Sequence, residues 1–388
     1  MTARLSRVAL SLNLADSRMH GKGRSNEVIV EPGASWQECE DELDARGTPL
    51  PLFHRAIWAR AHSTSGDRCT FVPVRNSDGI CRAGFAFESQ RSRALPGHRL
   101  ISIHRFGIGS GGLDDSSLDS ALAVLCTYVR RDRSVLRVTA EAFALDEDSR
   151  IRTSEALRRH GFRQVPASRM YERTLVVDLA PQEDDLLAAF HKNARQGIRN
   201  IDRYPVILTS AESVALAPRL KQLSDETRER TGGAKRLLDW KSLISMSAAV
   251  PHLSRIAILR RTDMTEPEGV LAFVWGRMHG GIAEYAESGS TRADDLKVST
   301  SYALLWDLMR WARASGARWF DMGGITGGTT HSEDPLGGIS DFKRRFSRQE
   351  IEVGQQWELE PHPLRAAAAR FVSRSADALR FGTKRPDR

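Results

Sequence analysis

Apolar positions recur at helical spacing from Trp36 to Arg46, where Gly47 ends the run, and again over Pro51–His62. The period then shortens. Cys69–Arg75, Ile80–Glu88 and Arg99–Phe106 alternate apolar with polar residues, which predicts three strands, the first two joined by the turn Asn76-Ser77-Asp78-Gly79. A glycine-rich loop, Gly107–Gly112, leads into a capped amphipathic helix from Ser116 to Arg131, and Val135–Phe143 predicts a fourth strand. The same order returns in the second half. Arg255–Arg260, Gly269–Trp275 and Gly281–Glu287 predict strands, the last two joined through His279-Gly280-Gly281. A loop, Ser288–Lys297, then precedes a helix from Ser299 to Ala314, stopped by Gly316, and the strand Arg318–Met322.

Three other stretches have a pattern of their own. From Leu187 to Arg203 a single helix is predicted, with Leu187, Phe190, Ala194, Ile198 and Ile201 on one face and Lys192, Arg195, Arg199 and Arg203 on the other. Such a stripe either tracks a phosphate backbone or is the solvated face of an arginine-rich helix. The tail His362–Gly382 places Leu364, Ala368, Phe371, Val372 and Leu379 on one side, with Arg365, Arg370, Arg374 and Arg380 supplying charge. Docking on its own domain is the default for it; an anionic membrane or RNA is the alternative. Finally, the aromatic run Trp319–Ile325 ends on Asp321, Gly323 and Gly324, and Gly338–Phe346 closes the loop behind it. This is the pattern of a strand delivering backbone and charge to a pocket, with Phe342 and Phe346 anchoring a turn and Lys343, Arg344 and Arg345 pointing elsewhere.

At 388 residues the chain suggests two domains, and its net charge of +8 favours a polyanionic partner. Residues 1–35 are polar and irregular and predict a loose entry segment. Cys39, Cys69, Cys81 and Cys126 show no paired spacing and complete no metal set, so reduced thiols in a cytoplasmic chain are expected. Val8–Ala15 is too short and polar for a signal peptide, and no apolar run is long enough to span a bilayer. There is no phosphate-binding G-x-x-x-x-G-K-[ST] loop, no G-x-S-x-G elbow and no H-E-x-x-H zinc site, which disfavours an ATP-driven ligase or a serine hydrolase.

The twice-repeated strand, strand, strand, helix, strand order resembles the core of the GNAT acyltransferase fold. The acyl-CoA loop of that fold is absent from Ser288–Arg292, whereas His104–Gly109 has its glycines but His at the position of Gln or Arg. More specifically, the chain resembles the Fem (FemABX) aminoacyl-tRNA-dependent transferases from Trp36 to Phe346. Four stretches carry the resemblance: Arg158–Phe162 followed by Tyr171–Leu179; Lys192–Asn200; Tyr285 with Ser288-Gly289-Ser290; and Phe320–Ile325 followed by Gly338–Phe346. After Phe346 the family usually has Gly, where this chain has Ser347-Arg348.

The resemblance implies an α/β (α+β) chain of two tandem GNAT-like domains, each a mixed central sheet flanked by helices. The expected division is a loose segment 1–35, domains 36–180 and 181–360, and a basic tail 361–388. It implies transfer of an amino acid from charged tRNA, as co-substrate and without a further cofactor or metal, to the amine of a peptidoglycan precursor or a peptide-like natural product. An acyl-CoA-dependent N-acyltransferase and a noncatalytic RNA- or membrane-binding protein are the alternatives. By the same resemblance Lys343 supplies positive charge to the oxyanion or a nearby phosphate, and Asp321 orients Lys343, takes the amine proton or simply bonds the following loop. Tyr285 falls at the acceptor pocket, Thr227 and Arg230 where the acceptor's phosphates are held, and Gly323, Gly324 and Phe342 complete the expected substrate-binding set; Lys192, Arg195, Arg199, Arg203, Arg344 and Arg345 are the expected tRNA contacts. Peripheral membrane contact through the tail is a further expectation.

Overall fold

The computed structural model describes residues 36–62, 68–75, 78–107, 115–166, 168, 170–231, 238–292, 295–296 and 299–382. The expected entry segment 1–35, Asn76 and Ser77 of the expected turn, residues 108–112 of the glycine-rich loop, Ala293, Asp294 and Lys297 of the expected loop, and residues 383–388 of the expected tail lie outside them.

The first half opens on α1 (Trp36–Asp44), whose buried Trp36, Cys39, Glu40 and Leu43 recur at helical spacing, a short 3-10 turn, and α2 (Ala56–His62). Strands β1 (Arg68–Arg75), β2 (Cys81–Arg91) and β3 (Arg99–Phe106) follow, then α3 (Asp115–Arg131), β4 (Val135–Phe143), α4 (Glu147–Arg159) and β5 (Arg163–Gln164). The hydrophobic pattern does not announce α4. It is polar almost all round, buries only Thr153, Ala156 and Leu157, and starts on an Asp146 side chain that accepts from Ser149 N at 2.8 Å.

Next come β6 (Arg173–Asp178), α5 (Glu183–Ala189), α6 (Lys192–Arg199), β7 (Val206–Ser210), α7 (Ala217–Thr231) and α8 (Trp240–Ala249). The repeat of the first half is β8 (Ser254–Arg261), β9 (Val270–Met278), β10 (Ile282–Ser290), α9 (Thr300–Ala314) and β11 (Trp319–Gly324). The chain ends through α10 (Gly337–Lys343), β12 (Glu350–Glu352), β13 (Gly354–Leu359) and α11 (Pro363–Gly382). Strand β9 is buried at all nine positions because α9 covers one face and α7 with α8 the other.

Two mixed sheets flanked by helices result, as the sequence leads one to expect. The first has the order β1-β2-β3-β4-β13-β5 and the second β12-β6-β11-β10-β9-β8-β7. In each, one pair is parallel, β3 with β4 and β10 with β11. Cuts at 180 and 360 do not follow the sheets. β6 precedes residue 180 yet lies in the second sheet, between β11 and β12; β13 precedes residue 360 yet lies in the first, between β4 and β5. The two units thus exchange one strand each, a long-range pairing that local periodicity does not encode.

Three further expectations are corrected. The single helix Leu187–Arg203 is broken: Phe190 is extended (φ −69°, ψ 155°), and α6 restarts with the His191 ring accepting from Asn193 N. Phe190, Ala194 and Ile198 still share a buried face, so the break leaves the apolar period intact. The Gly338–Phe346 stretch forms the helix α10 and a following turn. Cys39 and Cys81 are paired as a disulfide between α1 and β2, with Cα atoms 5.4 Å apart, in place of four reduced thiols. Among the described residues no helix is long and apolar enough to cross a membrane.

Candidate active site

The parallel strands β10 and β11 pair only at Ile282 with Trp319, Ala283 with Phe320 and Glu284 with Asp321. Beyond that point they part. β10 shifts register between Tyr285 and Glu287 and stays with β9, while β11 follows β6 as far as Gly324 opposite Thr174. Lys343, delivered by the last residue of α10, reaches this opening. Its Nζ donates to Gly324 O at 2.7 Å and stands 6.0 Å from the centre of the Tyr285 ring. A Cβ on Gly323 would sit 3.4 Å from both Lys343 Nζ and Tyr285 O, and Gly323 has φ +75°, which only glycine adopts cheaply. A Cβ on Gly324 would come within 2.4 Å of Tyr171 Cβ. The paired glycines therefore admit Lys343 and Tyr171 to the strand end. Lys343 is 7% exposed, and burial pulls its pKa down to about 8 while Asp321 and Glu284 act in the opposite direction.

Asp321 is fully enclosed. Its Oδ1 accepts from Gly323 N at 2.7 Å and from the Thr174 hydroxyl, and its Oδ2 accepts from Tyr171 Oη at 2.7 Å. Burial raises its pKa; Arg105 opposes the rise. Its oxygens are occupied in shaping the Gly323 turn, so of the roles weighed for it, bonding the following loop is the one its contacts show. Toward Lys343 it acts through its field.

The strand exchange supplies the remaining groups. Because β6 lies beside β11, Thr174 and the preceding Tyr171 reach Asp321 from a segment some 150 positions earlier. From the first sheet comes Arg105, in the left-handed region at φ 51° where β3 loses register with β4 between Ile103 and Phe106. Its guanidinium lies 3.8 Å from the Phe143 ring centre, hydrogen-bonds Tyr171, and donates to Glu284 Oε1 at 2.6 Å. Glu284 Oε2 in turn meets Arg277 and His279 Nε2, each at 3.0 Å. Against burial, which raises it, Arg105 and Arg277 hold the Glu284 carboxyl well below the usual range. Burial brings His279 down to about 4, so its ring is neutral near pH 7.

Arg105, Arg277, His279 and Glu284 are the functional candidates that sequence reasoning missed. The available signal is charge at positions such as Glu284 and Arg277 within strands whose neighbours are buried and apolar. His104, one residue before Arg105, lies 3.4 Å from a Glu88 oxygen and 3.3 Å from a Glu141 oxygen. Partial desolvation opposes the charge, yet these carboxylates hold the imidazole protonated, with a pKa up to about 10.

The other expected residues fall in several places. Tyr285 hydrogen-bonds Ser288, and Phe342 packs between Tyr302 and Phe346, with ring centres 5.4 and 5.6 Å away. Thr227 and Arg230 sit at the end of α7 against the end of β10, where Ser290 N donates to Thr227 Oγ1 at 2.9 Å and Arg230 donates to Ser290 Oγ at 3.1 Å. A separate groove of about 610 Å³ is lined by Phe190, His191, Lys192, Arg195, Arg344, Arg345 and Arg348. It gathers four of the expected tRNA contacts and adds Arg348.

Within the groove several side chains also carry structural duties: the His191 ring caps α6 and Arg345 donates to the Tyr302 hydroxyl. Arg195 donates to Ala188 O at 3.0 Å across the α5–α6 break. Arg344 donates to Thr326 O at 2.8 Å and Gly328 O at 2.9 Å and pairs with Asp341 and Glu350, so it fastens the loop after β11 as well as lining the groove. Arg199 and Arg203 are exposed farther along and do not line the groove.

Residues 276–374 match the FemAB family. A search of curated proteins gave no match. Among solved structures, FemX aligns over 88% of this chain and 100% of its own at 15% identity, with a TM-score of 0.68. L-PGS from Bacillus licheniformis aligns over 89% of this chain and 98% of its own at 14% identity, with a TM-score of 0.51. A tandem GNAT protein from the clavulanic acid biosynthesis pathway aligns over 87% and 99% at 12% identity, with a TM-score of 0.43. The chain is therefore FemAB-like over residues 276–374, the segment that carries Glu284, Tyr285, Asp321, Gly323, Gly324 and Lys343, and FemX-like in fold across both sheets.

Proposed function

We propose that this protein is an aminoacyl-tRNA-dependent aminoacyltransferase that joins a tRNA-borne amino acid to the amine of a peptidoglycan precursor or a peptide-like natural product. The observation that carries the reading is the Lys343 ammonium, held in the opening between β10 and β11 within the FemAB-matching segment and followed in sequence by Arg344, Arg345 and Arg348, which line a basic groove. The amine nitrogen attacks the ester carbonyl carbon; the new C–N bond forms, the C–O bond to the terminal ribose breaks, and the amine proton leaves for the ribose oxygen or solvent. The ester is already activated, so orientation and charge stabilisation suffice.

In this reading Lys343, with a pKa of about 8, is mostly an ammonium at neutral pH and stabilises the oxyanion from a site where few water dipoles screen it. Lys192, Arg345 and Arg348 line the groove that takes the acceptor-stem phosphates. Tyr285 walls the acceptor side.

The test is incubation with total charged tRNA bearing labelled amino acids and candidate amines, with products read by mass spectrometry. Amide product that disappears after ribonuclease treatment and in Lys343→Ala is expected. Product formed from acyl-CoA without tRNA, or full turnover in Lys343→Ala, refutes the reading.

A further inference from the structure

Helix α11 is packed the wrong way round for a surface helix. It buries Ala366 and Ala369 and leaves Leu364 88%, Phe371 73% and Val372 41% exposed. Leu364, Ala368, Phe371 and Val372 follow one another at spacings of four, three and one, so they share a stripe that faces away from the protein. An amphipathic helix whose only role is to dock on its own domain turns its large side chains inward. The helix is nevertheless fastened: Arg365 donates to Arg133 O at 2.9 Å, His362 Nε2 lies 3.2 Å from Asp132 O, and Arg370 pairs with Glu360. These contacts bring its start beside the exposed Arg131 and Arg133 at the end of α3. The sequence beyond, 374–388, contributes Arg374, Arg380, Lys384, Arg385 and Arg388 against Asp377 and Asp387.

We propose that the outward stripe of α11 is a docking surface for an anionic lipid bilayer, with Leu364, Phe371 and Val372 entering the acyl boundary and Arg131, Arg133 and Arg365 beside it meeting headgroup phosphates. Charge complementarity decides among occupants. RNA would satisfy the arginines and leave the apolar stripe in water. A second copy would satisfy the stripe, but an isologous contact would bring two basic rims together. Only a surface with an acidic rim over an apolar interior matches both features. The inference is independent of the transfer chemistry proposed above.

The experiment is flotation of the full chain with vesicles of phosphatidylcholine alone and of phosphatidylcholine containing phosphatidylglycerol. Binding to the anionic vesicles, weakening as salt is raised, is expected. Leu364→Ser with Phe371→Ser should lower the partition coefficient by about tenfold or more at an unchanged melting temperature, because both side chains are already in water. Ile151→Ser, at an exposed apolar position on α4, should leave it unchanged. The proposal is overturned if anionic vesicles do not bind or if the double variant binds as the parent does. It is equally overturned if that variant instead dissociates a dimer in sedimentation or loses tRNA retention. Loss of vesicle binding with amide formation intact separates this surface from the active site.

Discussion

Lys343→Met should make the protein more stable and less active at once. The native state holds the lysine with a pKa of about 8 against an ordinary 10.5, so enclosing its ammonium at neutral pH costs about 3 kcal/mol. Methionine fills a similar volume without charge, while the lost hydrogen bond to Gly324 O returns about 1 kcal/mol. The net expectation is a gain of about 2 kcal/mol near pH 7.

The sign with pH follows from which state binds the proton. Below about 8 the lysine is charged in both folded and unfolded chains, and the penalty is complete. Between about 8 and 10.5 the folded chain gives up its proton while the unfolded chain keeps it, so the parent gains stability and the advantage of the variant shrinks. Urea unfolding followed by tryptophan fluorescence, on parent and variant across this range, measures both quantities. A variant less stable than the parent near pH 7, or a difference that does not change as pH rises, would refute the account of Lys343 as a buried ammonium.

Further consequences concern the parts around it. Gly324→Ala puts a methyl 2.4 Å from Tyr171 Cβ and should cost about 1–3 kcal/mol in thermal unfolding; a neutral result means the strand end yields freely. Arg105→Met strips Glu284 of its inter-unit partner and should cost about 3–5 kcal/mol, whereas Arg105→Met combined with Glu284→Gln should cost less than the sum; simple additivity would show the two are not coupled. Lys192→Glu with Arg348→Glu should weaken tRNA binding and flatten its salt dependence, the log–log slope falling by about 0.7–0.9 per lost phosphate contact, and an unchanged slope would remove the groove from the RNA path. Arg195→Glu should instead lower the melting temperature, because that side chain bridges the α5–α6 break.

Much of the architecture is legible in local pattern. β3 and β4 fall where their alternation places them, and the helix that becomes α9 runs over the residues its apolar spacing marks. The Asp321-Met322-Gly323-Gly324 strand end and Lys343 were likewise visible as residues, because an acid, two glycines and a lysine between aromatics interrupt an apolar run. α4 was not, since a polar helix held by a cap has almost no hydrophobic period. The break at Phe190 is equally silent in the pattern, since a one-residue change to extended backbone keeps Ala194 and Ile198 in phase.

What the chain determined by itself was its inventory of elements and the identity of the chemical groups, because both depend on side-chain polarity over a few consecutive residues. What only the tertiary structure decided was who meets whom. The exchange of β6 and β13 between sheets brings Thr174 and Tyr171 to Asp321, and the bulge at Arg105 sends a first-sheet guanidinium into a second-sheet carboxylate. Those pairings join residues far apart in sequence, and their energies arise only once water has been expelled between them, so no local pattern of residues records them.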